Sequence, residues 1–302
     1  MNAIEIRNLT KTFGEKHALN DLNMTVPVGA IYGFIGENGS GKSTTQKILC
    51  GLIHPTSGNI SLFGKDYRNS EVRANIGVLI ESPGCFSNLS VWNNLMIQAT
   101  NLGLENKEEK VREILKLVRM EGSASNKFKN CSLGMKQRIG IAMALLGNPK
   151  LLVLDEPING LDADGMRIMR EILTDLTKKG DCTVLVSSHI LGELEKIATH
   201  YGIIRQGKMI VEMTAEQLDK DCPTFVALKT NDLKKTHQLL QQNYKKVMLD
   251  KEKECIRVYD SSSPEEVVKF LYDNKIVVNE LSTDKIGLEE YYTNLMNKEK
   301  LG

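Results

Sequence analysis

The chain has few of the features that mark secreted, metal-binding or membrane-spanning proteins. Its six cysteines are scattered, with no CxxC pair and no histidine at metal spacing, so reduced thiols are expected and a zinc site is not. No run approaches the roughly 20 apolar residues that span a bilayer. The polar N-terminus does not resemble a signal peptide. These absences favour a cytosolic protein, or one that reaches a membrane only through a partner.

An excess of charge of either sign is also missing. The 302 residues include 39 basic and 38 acidic side chains, a net charge of +1, so no global field draws the protein to nucleic acid or to anionic lipid. The remaining composition, 41% hydrophobic and 25% charged, is that of an ordinary globular protein. Because single cores usually stop growing near about 250 residues, the length favours one large and one small domain.

Short apolar runs alternate with amphipathic helical patterns from the N-terminus to about residue 214. This alternation predicts an α/β domain with a largely parallel sheet. Lys107–Val118 has apolar residues at helical spacing on a charged background, which predicts a surface helix. We place this large domain at residues 1–217 and a small domain at 218–302. The predicted strands are Ala30–Ile35, Ile76–Ile80, Leu151–Leu154 and Thr183–Ser187.

The small domain is predicted to run strand, helix, two strands, helix and strand. That order is the split βαβ arrangement of ferredoxin-like α+β domains. Ser263 to Glu266 forms a capping box with proline at the first helical position. No catalytic constellation is visible here, and dimer contact, regulation and stabilisation all fit the domain. Its predicted elements are Thr224–Leu228, Asp232–Gln242, Val247–Leu249, Cys255–Tyr259, the helix after Ser263, Val277–Leu281 and a last helix, Leu288–Met296.

A glycine-rich segment follows the strand that ends at Ile35. Residues 36–43, GENGSGKS, fit G-x-x-x-x-G-K-[ST] between a strand and a helix, the context that confirms such a motif. Its glycines let backbone N–H groups point at phosphate oxygens. Lys42 supplies a charge for the β- and γ-phosphates, and Ser43 a hydroxyl ligand for Mg²⁺. A nucleoside triphosphate site is predicted, with binding residues Gly36, Asn38, Gly39, Ser40, Gly41, Lys42, Ser43 and Thr44.

Two later strands end in residues suited to the same chemistry. Leu151–Leu154 leads into the acid pair Asp155 and Glu156, and a hydrated hard cation takes one or two carboxylates, which suits Asp155 as the Mg²⁺-side residue. Glu156 can then act on a water aimed at the γ-phosphate. The strand Val184–Ser188 delivers His189, a neutral donor for the γ-phosphate, although a lone histidine is more often structural.

One further segment points to a family. SLGMKQ, residues 132–137, places Ser132 just before Gly134 at a helix start, a second phosphate-binding end. Lying between the P-loop and the acid pair, it resembles the signature motif of ATP-binding cassette (ABC) proteins in a variant form. Asp162, in NGLD, then resembles the D-loop aspartate, and Phe13 lies where the family stacks an aromatic ring on adenine. The resemblance covers about residues 3–214.

The resemblance implies a fold, a reaction and a partner. The fold is the P-loop NTPase of the ABC ATPase type, with a mixed sheet core and a helical subdomain, and the reaction is Mg²⁺-dependent ATP hydrolysis. Such domains pair head to tail. Lys42 and Ser43 would therefore face Ser132 and Gly134 of a second copy or of a homologous ATPase subunit, with ATP and Mg²⁺ between them and Asp162 among the nucleotide contacts.

Glu81 departs from the common family pattern. The family ends this strand in a glutamine that reaches Mg²⁺ or the attacking water, whereas a carboxylate only accepts hydrogen bonds. The resemblance implies a catalytic and metal-contacting role for Glu81. Near Asp155 and Glu156, each like-charge pair at ~6 Å costs roughly 3 kcal/mol before Mg²⁺ compensates. We therefore expect a stronger Mg²⁺ dependence than glutamine would give, while a solvated strand end is the plain alternative.

Glu81, the SLGMKQ signature and the small C-terminal domain together resemble the bacitracin-resistance and lantibiotic self-immunity group of ABC exporters. In that group the ATPase subunits energise a separate membrane permease that expels peptide antibiotics. The resemblance implies a cytoplasmic ATPase, peripheral on the inner face of the cell membrane and touching it only through the permease, with no nucleic-acid partner. Another ABC exporter, of a drug or a lipid, and a soluble ABC regulatory ATPase stay open as alternatives.

The segment Ser82–Asn94 lies where ABC domains receive the membrane subunit. It contains Phe86 and the single tryptophan of the chain, Trp92. These apolar side chains are expected either to belong to the core or, if exposed together, to form the docking surface.

Overall fold

The computed structural model describes residues 1–178, 180, 182–251, 253–259 and 263–301, the side chains of the last four excepted. The chain divides into two compact units, Met1–Ala215 and Glu216–Gly302. Three sheets organise these units. Within the described residues, no helix combines the length and the apolar character needed to cross a membrane.

The first unit alternates strands and helices along most of its length. In chain order its elements are β1 (Asn2–Phe13), β2 (Lys16–Pro27), β3 (Ile31–Ile35), α1 (Lys42–Leu49), β4 (Ser57–Leu62), β5 (Lys65–Asp66), α2 (Ser70–Arg73), β6 (Ile76–Leu79), α3 (Val91–Asn101), α4 (Lys107–Leu117), α5 (Leu133–Leu145), β7 (Leu151–Asp155), α6 (Ala163–Lys178), β8 (Thr183–Ser187), α7 (Leu191–Glu195), β9 (His200–Arg205) and β10 (Lys208–Thr214).

A six-stranded mixed sheet, ordered β10-β9-β3-β8-β7-β6, forms the centre of this unit. Its strands from β9 to β6 run parallel, and β10 is antiparallel to β9. Every residue of β3 and β8 is buried, as expected for parallel strands covered on both faces. The predicted α/β fold with a mixed sheet is confirmed, and the carboxyl ends of β3, β7 and β8 meet at one edge.

A second, antiparallel sheet of the first unit was absent from the sequence prediction. It runs in the order β2-β1-β4-β5. The pairing of β1 with β2 shifts register between Ile6 and Leu9 and at three other steps. Such bulges break the two-residue alternation by which a strand is recognised in a sequence. The buried side chains of β1 nevertheless join those of β3, β7 and β8 in one hydrophobic core.

Helices α3, α4 and α5 pack on one another, and α5 also packs on β6. The predicted surface helix Lys107–Val118 appears as α4, one residue shorter, with Val118 as its C-terminal cap. It buries Val111, Ile114 and Leu115, the apolar residues that the spacing placed on one face. These three helices form the expected helical subdomain, beside the sheet core.

The rest of the chain forms the second unit. Its elements are α8 (Ala215–Asp221), β11 (Thr224–Thr230), α9 (Leu233–Asn243), β12 (Val247–Asp250), β13 (Cys255–Val258), α10 (Pro264–Asp273), β14 (Val278–Lys285) and α11 (Leu288–Leu301). The strands pair antiparallel in the order β12-β13-β11-β14, which is a split βαβ sheet. Ser263 caps α10, since its hydroxyl accepts a hydrogen bond from the Glu266 N–H at 3.3 Å.

Candidate functional site

The glycine-rich loop joins the buried strand β3 to α1. Gly41 has φ +115°, and a Cβ atom there would lie 2.7 Å from Leu19 Cδ2. A Cβ atom on Gly36 would lie 2.4 Å from the Ile204 carbonyl oxygen. Only glycine fits these two positions, so the backbone can curl tightly at the start of α1. Gly41 offers no side-chain cap, which leaves the first-turn N–H groups of α1 facing outward as an anion site.

The ammonium group of Lys42 lies inside this loop. Lys42 is 6% exposed, and its Nζ donates to the carbonyl oxygens of Gly36 at 2.6 Å and Glu37 at 3.2 Å. Burial lowers the pKa of Lys42, and the nearby Glu156 and Asp155 carboxylates oppose that shift. A buried cation held by carbonyl dipoles, with acids close by, is suited to an anionic ligand.

The Asp155 carboxylate, at the end of β7, accepts hydrogen bonds from two hydroxyl groups. Ser43 Oγ donates to its Oδ2 at 2.8 Å, and Ser187 Oγ donates to its Oδ1 at 2.5 Å. The parallel register of β7 and β8 sets Asp155 opposite Ser187. Carboxylate and hydroxyl oxygens are the ligands that Mg²⁺ prefers, so Ser43 and Asp155 fit a Mg²⁺ ion. In the described part of the chain, the buried Ser40 Oγ has no hydrogen-bond partner, which also fits a loop built around a ligand.

Glu156 follows Asp155 in a left-handed backbone conformation, with φ 50°. Its N–H donates to the carbonyl oxygen and to Oγ of Ser187, each at 3.1 Å, which fixes this uncommon conformation. Its Oε2 lies 2.7 Å from His189 Nδ1. Because a carboxylate only accepts, Nδ1 carries the hydrogen of that bond, and Nε2 of the neutral ring is then an acceptor. His189 donates from Nε2 only when the ring is protonated or takes the other tautomer.

The side chains at the ends of β3 and β7 open onto one cavity of about 240 Å³. Phe13 lies at its edge, half exposed, with the Lys11 ammonium 4.7 Å from the ring centroid. Gly36 and Ser40 belong to the same loop without lining the cavity, and His189 joins it through Glu156. The lining residues are Phe13, Lys16, Ala18, Asn38, Gly39, Gly41, Lys42, Ser43, Thr44, Asp155 and Glu156.

Three predicted site residues belong to the starts of α5 and α6 and do not line this cavity. Ser132 caps α5, its Oγ accepting from the Met135 N–H at 3.2 Å, and Gly134 lies in the first turn of that helix. Asp162 precedes α6, and its Oδ1 accepts from the Gly165 N–H at 2.8 Å. None of the three is among the residues that line the cavity. Within one chain, the predicted signature and D-loop residues therefore do not contribute to the cavity that the glycine-rich loop and the acid pair line.

The structure places Glu81 on Lys47. The two side chains form an ion pair with 2.7 Å between Nζ and Oε1, and the Glu81 side chain is 70% exposed. The hydrogen bond and the charge of Lys47 lower the pKa of the Glu81 carboxyl. Glu81 lies two residues beyond the end of β6, with φ 66°, and does not line the cavity.

The segment Ser82–Asn94 contains both core and exposed side chains. Val91 is fully buried, whereas Phe86 is 60% exposed. Trp92 is partly buried, with the Arg112 guanidinium 5.6 Å from its ring centroid. Pro83, within the segment, lines a groove of about 390 Å³ with both polar and apolar walls, which is bordered by β6, α3 and α5 and whose lining also includes Leu52, Val78, Leu102 and Met143.

Sequence reasoning missed several residues that build the site. Ser187 holds Asp155 and Glu156, and Gln46 donates to the Leu154 carbonyl oxygen at 3.0 Å. Lys16 lines the cavity. A parallel register between the two predicted strands would have identified Ser187, because it lies opposite Asp155. Helical spacing would have placed Lys47 on the face of Ser43, four residues earlier.

The comparisons with known proteins agree with this geometry. Residues 19–159 match the family model of ABC transporters. The bacitracin transport ATP-binding protein BcrA of Bacillus licheniformis is 37% identical over 303 residues, 99% of this chain and 99% of that protein. The chain belongs to the ABC transporter family. It is an ATPase of this family, whose members bind nucleotide, dimerise and work with membrane permeases.

Two other relatives of this ABC ATPase add detail. The lantibiotic transport ATP-binding protein SrtF of Streptococcus pyogenes is 43% identical over 209 residues, 69% of this chain and 90% of that protein. A bacterial ABC transporter cassette solved as a dimer is 25% identical, with a TM-score of 0.64, over 70% of this chain and 98% of that one. The expected P-loop fold of the ABC ATPase type is therefore confirmed.

Proposed function

We propose that the chain is the ATPase subunit of an exporter that expels a peptide antibiotic, of the bacitracin or lantibiotic type, through a separate membrane permease. The observation that carries this proposal is the match to a bacitracin transport ATP-binding protein along 99% of both chains, so that the small C-terminal unit is included. The similarity to a lantibiotic transport protein, together with Glu81 at the strand end, adds support. Export serves self-immunity or resistance.

Hydrolysis follows from the residues around the cavity. Lys42 and the first-turn N–H groups of α1 bind the phosphates, and Phe13 stacks on adenine. Glu156, oriented by Ser187 and His189, takes a proton from the attacking water. Ser43 and Asp155 would hold Mg²⁺, which would neutralise developing phosphate charge.

A second cassette completes each site. Ser132 and Gly134 lie at the N-terminus of α5, where backbone dipoles favour an anion. Since neither they nor Asp162 line the cavity of their own chain, they serve the nucleotide of a second copy or of a homologous ATPase subunit. ATP then touches both partners, so it favours the closed pair by its differential affinity, and hydrolysis lets the pair open.

The permease docks beside β6. The groove lined by Pro83, with its polar and apolar walls, and the exposed Phe86 ring supply a surface suited to a short amphipathic helix of a membrane protein. Through this contact the subunit is held on the cytoplasmic face of the cell membrane. Nucleic acid is not a partner, because the charges of the chain balance.

Co-purification tests this proposal directly. A tagged Glu156→Gln protein, extracted gently from membranes with Mg-ATP, is expected to bring a multi-span membrane protein with it in fixed stoichiometry. Phe86→Ser in the same background changes only the proposed docking surface, so it should lose the membrane protein and keep ATP binding. Recovery only in the soluble fraction, with ribosomes or nucleic acid, would overturn the proposal that the chain is a transporter subunit.

The exported compound requires a second measurement. Deleting the co-purified permease should raise sensitivity to bacitracin or to a lantibiotic and leave sensitivity to unrelated drugs unchanged. Sensitivity to an unrelated drug alone would contradict peptide-antibiotic export and point to another ABC exporter.

A further inference from the structure

Lys47 lies on the face of α1 that carries Ser43. The two residues are four positions apart, which places them about one helical turn, roughly 6 Å along the axis, from each other. Ser43 donates to Asp155, a proposed Mg²⁺ ligand. Lys47, on the last turn of the helix, therefore lies one turn from a residue of the proposed Mg-ATP site, and it does not line the cavity itself.

The partner of Lys47 is Glu81. Glu81 has a left-handed backbone, with φ 66°, in the loop that follows β6. Its carboxylate lies 2.7 Å from Lys47 Nζ, and the Lys47 side chain is 33% exposed. This ion pair ties the helix that follows the P-loop to the loop that leads toward the proposed permease surface.

The positive charge of Lys47 offsets the negative charge of Glu81. Without Lys47, Glu81 would add an uncompensated negative charge near the last turn of α1, the helix whose first turn carries Ser43 and would bind the phosphates of ATP. We propose that Lys47 is a positioning residue, which holds the Glu81 carboxylate and offsets its charge beside the Mg-ATP site. This inference rests on the proposed function, and it limits the extra Mg²⁺ dependence expected from a carboxylate at this position.

Equilibrium binding without turnover tests the inference. A fluorescent ATP analogue is titrated into Glu156→Gln protein with Mg²⁺ and with EDTA. The dissociation constant in EDTA divided by that in Mg²⁺ reports the Mg²⁺ dependence of binding. Lys47→Met should raise this ratio about threefold, because the energies of exposed charge pairs are of that modest size. Adding Glu81→Gln to Lys47→Met should restore the parent ratio, and Lys47→Arg should preserve it.

The control is an ion pair of similar length elsewhere on the unit. Lys65 lies 2.8 Å from Glu71, and both side chains are exposed, so Lys65→Met should leave the ratio unchanged. An unchanged ratio in Lys47→Met, or the same raised ratio with and without Glu81→Gln, would overturn the inference. Absence of Mg-ATP binding in the Glu156→Gln parent would instead contradict the proposed function.

Discussion

Among the described residues, each unit buries one long cationic side chain to the same extent, but the two side chains have different surroundings. Lys42 in the first unit and Arg257 in the second are both 6% exposed. Lys42 is bonded to loop carbonyl oxygens beside a cavity that also contains Asp155 and Glu156. Arg257 is enclosed by the carboxylates of Glu290 and Asp250 and by the Phe225 ring, 4.7 Å away. A buried charge therefore marks a site only where its surroundings open onto a cavity.

The pKa values of the two cations show the same contrast. Burial lowers the pKa of Lys42, and the attraction of Glu156 and Asp155 only partly offsets it. Burial also acts to lower the pKa of Arg257, but hydrogen bonds to Glu290, Tyr259 and Asp250 raise it above its ordinary value. Arg257 thus holds β13 to α11 and to β12, while Lys42 stays available to a ligand.

The largest expected effect separates chemistry from folding in the first unit. Glu156→Gln should lower ATP hydrolysis by about 10²- to 10⁴-fold, because the general base is lost, and should retain ATP binding. Phosphate release and equilibrium ATP binding measure the two quantities. Glu113→Gln, on the exposed side of α4, serves as the control with unchanged turnover. Near-normal hydrolysis by Glu156→Gln would refute its assignment as the base.

Arg257→Met should lower the stability of the protein and leave ATP binding unchanged. Removing the guanidinium leaves Asp250 and Glu290 without their shared partner, which should cost about 3 kcal/mol of unfolding free energy, the lower end for a buried pair. Denaturant unfolding measures the loss, and ATP binding should not change. The triple variant with Asp250→Asn and Glu290→Gln should recover part of the loss. Full stability in Arg257→Met would show that the cluster does not hold the second unit together.

The smallest expected effect on ATP binding is that of a change at the ion pair between Glu81 and Lys47. Glu81→Gln removes an exposed ion pair, so ATP binding should stay within about twofold of the parent. Because Glu81 lies in the loop next to the proposed docking segment, transport and antibiotic resistance should change more than binding does. Both are compared with Glu71→Gln, which breaks a similar surface pair. Unchanged transport and resistance would remove any special role for the carboxylate.

Local patterns predicted much of the first unit. The apolar runs identified β3, β6, β7 and β8, because buried parallel strands are nearly continuous in apolar residues. The antiparallel sheet escaped prediction because its bulges disrupt the alternation in β1. In the second unit, α8 was not predicted, but the strands and helices from β11 onward follow the predicted order, since each is short and bounded by clear turn or capping residues.

The sequence by itself determined the chemistry of the loop between β3 and α1, because the glycines, Lys42 and Ser43 are adjacent in the chain and act through local backbone geometry. It likewise identified Asp155, Glu156 and His189 as candidates at strand ends. Only the tertiary structure decided which partner each side chain takes. Ser187 meets Asp155 through the strand register, and Glu81 meets Lys47 across 34 positions of the chain. Contacts between distant segments depend on how sheets and helices pack, and no local pattern encodes them.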